Sequence, residues 1–161
     1  MKQRGKHRVA GLLALLTAAC AAAPPPTGDA TIVDAPVAEA RARVERSLRV
    51  RGLTLVGNPV GPGAIVALAT GPADRGWAAC PTLTMVDPSR RTNRQARITP
   101  RSVTTRATAS FAEAGAGGTR VAIRADQTGS YVNPFTNNPE ARRCPATGVL
   151  EGEVLQAIRL G

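Results

Sequence analysis

Two alternating runs dominate the pattern of apolar and polar positions. Val103, Thr105, Ala107, Ala109 and Phe111 alternate with Thr104, Arg106, Thr108 and Ser110, and Val121, Ile123 and Ala125 alternate with Arg120 and Arg124. A period of two sends successive side chains to opposite faces of a strand. Gly115-Ala116-Gly117-Gly118 joins the runs with turn-forming residues, so this stretch predicts a β-hairpin with one apolar face. Ala64 to Thr70 is apolar at both parities and predicts an interior strand, while Leu53 to Val56 and Thr82 to Val86 predict two more. Two segments follow a helical period instead. Val37, Ala40, Val44 and Leu48 line one side of a helix from Pro36 to about Arg51, with Gly52 placed to end it in a left-handed conformation. Leu150, Val154 and Ile158 line a second, with Thr147 as its N-cap. Gln127 to Pro145 reads as loop. Tyr131 and Phe135 within it either form a contact patch or seal an edge of the core.

These elements predict an α+β fold, an antiparallel sheet of four to five strands with an N-terminal and a C-terminal helix packed on one face. The domain is expected over residues 37–161, preceded by a Pro/Ala-rich tether over 20–36 in which Pro24-Pro25-Pro26 favours an extended polyproline conformation.

The first twenty residues obey a different pattern. Lys2, Arg4, Lys6 and Arg8 precede an apolar run from Val9 to Leu16, which small residues and Cys20 follow. This order is that of a secretory signal, and the run is about half the roughly 20 residues that span a bilayer as a helix. Leu16-Thr17-Ala18-Ala19-Cys20 resembles the lipobox of bacterial lipoproteins, departing from its commonest form at Thr17. The resemblance covers residues 1–23. It implies cleavage before Cys20, lipid on the Cys20 thiol and amine, and attachment to a membrane. Ala21 is not the aspartate that holds many such lipoproteins in the inner membrane, so the resemblance favours the periplasmic face of the outer membrane. An ordinary signal cut near Ala21-Ala22-Ala23 would instead leave a soluble periplasmic protein. Val37 to Thr70 also resembles, at the level of fold alone, the small domains of envelope-assembly lipoproteins such as BamC.

Setting the signal aside changes the composition. The whole chain of 161 residues has a net charge of +10 from 21 basic and 11 acidic residues. The signal holds four of the basic residues and none of the acids, so about +6 remains. Both lysines and the sole histidine, His7, lie within it. Without histidine, Ser-His-Asp and Cys-His arrangements and His-based zinc sites are excluded from the exported part, and without lysine so is Schiff-base chemistry. Paired carboxylates or a reactive cysteine are what is left for an enzyme, and no spacing supports carboxylates such as Asp74 and Asp126. Glu151 and Glu153, two apart on a helix, point to different sides. The expectation is a protein with no catalytic residues, no cofactor and no metal.

Cys80 and Cys144 form an even pair in an exported chain, and a disulfide is the default expectation in an oxidising compartment. Trp77, close by in sequence, is expected to pack beside it. Arg90, Arg91, Arg94 and Arg97 make the most basic local stretch, a possible anion-binding segment or a solvated loop. Nucleic acid is not expected as a partner, because the chain is exported and no aromatics interleave with the arginines. Two functions follow. One is an assembly, scaffold or interaction factor touching another envelope protein; the other is an Arg-rich module for anionic glycolipid or peptidoglycan.

Overall fold

A computed structural model describes residues 29–56, 63–89 and 94–161. The signal, Cys20, the first part of the tether and the arginines Arg90 and Arg91 lie outside the described residues.

The expected hairpin is the spine of the molecule. Strands β6 (Ser102–Ala114) and β7 (Gly118–Val132) run antiparallel in unbroken register from Ser102↔Ser130 to Ala114↔Gly118. Gly117, at φ 82°, and Ala116, at φ 62°, take the left-handed conformations of the turn between them. Strand β3 (Ala64–Gly71) pairs with β6, and β2 (Thr54–Val56) pairs with β3 as an edge. The far side of β7 is divided. Strand β1 (Asp29–Val33) takes residues 119–123 and β8 (Pro139–Cys144) takes residues 127–132. The result is an α+β protein with a six-stranded antiparallel sheet.

Several expectations are corrected here. The sheet has six strands rather than four or five. Strand β4 (Leu83–Val86), expected in that sheet, pairs only with β5 (Gln95–Ile98) in a separate two-stranded one. Asp29–Val33, inside the stretch expected as tether, is a sheet strand whose Val33 is buried. The expected loop from Gln127 supplies the second half of β7 and all of β8, because Gln127, Gly129 and Tyr131 continue the buried parity of Val121, Ile123 and Ala125.

Helix α1 (Val37–Val50) follows its apolar period, with Ala40, Val44 and Leu48 fully buried, and Gly52 beyond it sits at φ 78°. Helix α2 (Val149–Arg159) buries Leu150, Val154 and Ile158. Gly148, not Thr147, is its N-cap, and the Thr147 hydroxyl donates at 2.6 Å to the Gly76 carbonyl. Both helices join one apolar cluster with Ile65, Ala67, Ala107, Ala109, Val121 and Ile123, which are alternate positions of β3, β6 and β7. Alanines on that sheet face leave room for the larger helix side chains to interdigitate. Trp77 belongs to the same cluster.

Beyond the helices, the core face is closed by the disulfide. Cys80 and Cys144 are bonded, with Cα atoms 4.5 Å apart. The chain beside Cys80 runs along the chain beside Cys144, with the Ala79 N–H donating to the Pro145 carbonyl at 2.9 Å. Tyr131 is fully buried here and donates its hydroxyl to the Pro81 carbonyl at 2.7 Å. It therefore seals the core and is no contact patch, and burial pushes its phenol above the ordinary 10.0. A side chain on Gly129 would have no space, since a Cβ there would lie 3.0 Å from the Tyr131 ring and 3.1 Å from Cys144 Sγ. The bond spans 64 residues of sequence, so the Cys80→Ala/Cys144→Ala double variant is expected to lose about 4 kcal/mol of stability in the chain-entropy account. Chemical denaturation of both proteins checks this, and equal midpoints would contradict it.

Candidate functional site

Because the helices share one face of the sheet, the opposite parity is left bare of helix among the described residues. Cross-strand register sets its rows: Val56, Val66, Thr108 and Arg124 in one, then Thr54, Leu68, Arg106 and Asp126, then Thr70, Thr104, Thr128 and Arg143. The side chains are mainly threonine and arginine. Thr70 and Thr104 share a hydroxyl hydrogen bond of 3.0 Å. Leu68 and Val56 are the exposed apolar members.

Charge on this face is concentrated on one side. Asp126 Oδ1 accepts from Arg124 Nη2 at 3.0 Å and from Arg143 Nη2 at 2.7 Å. Partial burial opposes ionisation of Asp126, but the hydrogen bonds and charges of Arg124 and Arg143 outweigh it and hold the carboxyl below its ordinary 3.8. Arg106, opposite Asp126 across the ladder, has no ion pair among the described residues. These residues, with Thr108 and Thr128, line an open concavity of about 560 Å³. Three guanidinium groups and one carboxylate leave two positive charges in excess. The donors are charged, forked and flanked by hydroxyls, which suits phosphate or carboxylate oxygens. Asp126 itself is ill suited to acid catalysis, because its environment keeps it deprotonated.

On the helix side of the same strand lies a second feature. Residues 124–126 of β7 fall between the last pair with β1, Asp29↔Ile123, and the first with β8, Gln127↔Cys144. The Ala125 N–H, which has no described strand opposite it, donates at 2.9 Å to Glu151 Oε1 from the first turn of α2. Glu151 is buried, and among the described residues Oε2 has no hydrogen-bond partner. Both polar atoms of the Gln127 amide are buried without a partner as well.

The residues named from sequence are scattered by the fold. Arg94 is exposed, with its guanidinium 6.0 Å from the Phe135 ring centre. Arg97 lies on β5 and lines a different hollow with Arg101 and Asn137. Arg106, Arg124 and Arg143, dispersed in sequence, are the arginines that come together. Their signal was the shared parity of Arg106 and Arg124 on the two alternating runs. Asp74 lies in the 3-10 turn Ala73–Arg75, and its side chain is outside the described set. Glu153 pairs with Arg51 at 3.0 Å on the protein exterior, away from buried Glu151. The hollow beneath Arg75 and Trp77 holds about 10 Å³, which admits at most a water. Among the described residues no group of three His, Cys, Asp or Glu side chains is placed to hold a metal ion, and no helix is long and apolar enough to cross a membrane.

No protein-family model matches the chain, and no significant match is found among curated proteins. What defines it is the α+β fold with an arginine-bearing sheet face that no described helix covers.

Two outcomes follow from these environments. Gln127→Met keeps the volume and removes an amide that finds no partner, so it is expected to raise stability by about 1 kcal/mol or more; a loss of stability on denaturation would show that the amide is bonded after all. Asp126 has a folded-state pKa below its unfolded one, so its contribution to stability is full above the ordinary value of 3.8 and is lost as pH falls through the folded value. The advantage of the native protein over Asp126→Asn should accordingly be largest at neutral pH and vanish in strong acid, measured as the difference between the two stability–pH curves.

Proposed function

We propose that this protein is a non-catalytic, lipid-anchored envelope protein at the periplasmic face of the outer membrane that works by binding an anionic glycolipid through its bare sheet face. The observation that carries the reading is the cluster of Arg106, Arg124 and Arg143 around the single carboxylate of Asp126. The lipobox-like sequence ending at Cys20 and the proline-rich segment after it support the anchor and the reach. The bonded pair Cys80 and Cys144 supports an oxidising compartment. Arginine suits phosphate because its planar fork can donate two hydrogen bonds to one group, and the threonine hydroxyls beside it supply further donors. A partner protein with an acidic surface would use the same residues, and it is the second reading because the face also carries exposed Val56 and Leu68.

The full chain should bind vesicles containing an anionic glycolipid, and binding should weaken steeply with salt. Replacing Arg106 and Arg143 by glutamine removes two charges, worth about 2 kcal/mol near an anionic surface, or roughly thirtyfold in affinity. Cosedimentation at two ionic strengths tests this. Equal binding to neutral vesicles, or an unchanged affinity in the double variant, would dispose of the reading.

A further inference from the structure

Where no described strand lies on the outer edge of β7, a slot borders the sheet. Neighbouring residues of a strand face opposite ways, yet Arg124 and Asp126 from the bare face and Ala125 with Glu151 from the helix face line one cavity of about 540 Å³. That sharing is possible because no described strand lies beside residue 125. Arg143, Cys144, Pro145 and Ala146 form the remaining wall.

The slot has opposite charges at different depths. Its rim holds Arg124 and Arg143, which share Asp126 and keep one positive charge in excess. Each guanidinium donates to Asp126 through Nη2 and has further N–H groups to offer. Its floor holds Glu151, 6 % exposed, with Oε1 committed to the Ala125 N–H and Oε2 lacking any donor. A buried carboxylate oxygen left without a donor is costly. A simple anion would satisfy the rim and leave that oxygen bare. A simple cation would satisfy the oxygen and meet the positive rim. One water would satisfy the oxygen but takes up only about 30 Å³ of the slot.

We propose that the slot binds a compact zwitterion, with a primary ammonium donating to Glu151 Oε2 and an anionic group held between Arg124 and Arg143. Glu151 Oε2 has no solvent-exposed surface, so the ammonium reaches it by displacing lining atoms, of which those of Pro145 and Ala146 are exposed. Once there it makes a charge-assisted hydrogen bond in a dry site, where such bonds are strong. The inference rests on the reading of the Arg124–Arg143 edge as a binding surface and adds a requirement that reading lacks, an N–H donor on the ligand.

The test titrates the full chain with phosphoethanolamine, phosphocholine and inorganic phosphate, following the backbone resonances of Arg124, Ala125 and Glu151. Phosphocholine has the same charges but no N–H, so phosphoethanolamine should bind about tenfold more tightly or better. Glu151→Gln, whose amide oxygen can still accept from Ala125, should erase that difference. Arg143→Gln, at an exposed side chain that is safe for folding, should weaken phosphoethanolamine binding while keeping the preference over phosphocholine. Two further arms identify the source. Preference for phosphatidylethanolamine over phosphatidylcholine vesicles marks a lipid headgroup, and glycine binding as tightly as phosphoethanolamine marks a free amino acid. Equal affinity for phosphoethanolamine and phosphocholine, or for phosphoethanolamine and phosphate, overturns the proposal, as does a preference that survives Glu151→Gln. Glycolipid binding that depends on Arg106 and Arg143 without any such preference sinks this inference alone, whereas a preference without glycolipid binding sinks the other.

Discussion

The six-stranded sheet is assembled on the ladder between β6 and β7. Its thirteen residue pairs, from Ser102↔Ser130 to Ala114↔Gly118, give β3 one edge and β1 and β8 the other. The ladder also decides which side chains meet. A single register sends Ala107, Ala109, Val121 and Ile123 to the helices and Arg106, Thr108, Arg124 and Asp126 to the opposite face. A slip of one residue would turn one strand over relative to the other and bury either Arg106 and Thr108 or Arg124 and Asp126 under α1 and α2. The apolar core and the charged face are thus two consequences of one pairing.

Strand β7 is longer than either partner on its far edge, and the consequences run through the rest of that edge. No described strand pairs with residues 124–126, between the β1 and β8 ladders, and the buried backbone donor at Ala125 is received by a side chain instead. An unmet buried donor costs about 1–3 kcal/mol, and Glu151 removes that cost by acting in place of a neighbouring strand. The substitution is incomplete, because a carboxylate has two oxygens and the position offers one N–H. Farther along, the disulfide holds β8 near β7, and Tyr131 and Gly129 close the space beneath it. On that side of the gap β8 is therefore held against β7.

The parts legible in the sequence are those whose signal is local. The alternation of β6 and β7, the period of α1 and α2 and the left-handed Gly52 could be read because each depends on side chains within its own element. Strand β8 could not. Glu140, Arg142 and Arg143 give it little strand character, and its place comes from Cys144 and from the free edge of β7. The second half of β7 was hidden likewise, since Gln127, Thr128, Gly129 and Ser130 resemble a loop until the tyrosine and the disulfide are seen to cover them. A pattern identifies a strand but not its partner, which is why β4 was foreseen and its sheet was not. The arginine cluster escaped for the same reason. Arg90 to Arg97 is dense in sequence, whereas Arg106, Arg124 and Arg143 become neighbours only through two strand pairings.

Arginine content alone says little about binding here, because the two sides of the protein use it differently. On α1, Arg41 pairs with Glu45, Arg43 with Glu39 and, just past the helix, Arg51 with Glu153, each within 3.0 Å. Those side chains balance charge and shield the helix surface, a role that asks for nothing outside the protein. The sheet face has no comparable supply of acids. Threonine there satisfies the strand preference for β-branched residues while staying soluble, but it carries no charge to offset Arg106. One aspartate is shared between two guanidinium groups, and a third stands opposite it without an ion pair among the described residues. The shortage of counter-charge, more than the number of arginines, separates this face from the surface of α1, and the anion proposed above would supply the missing charge.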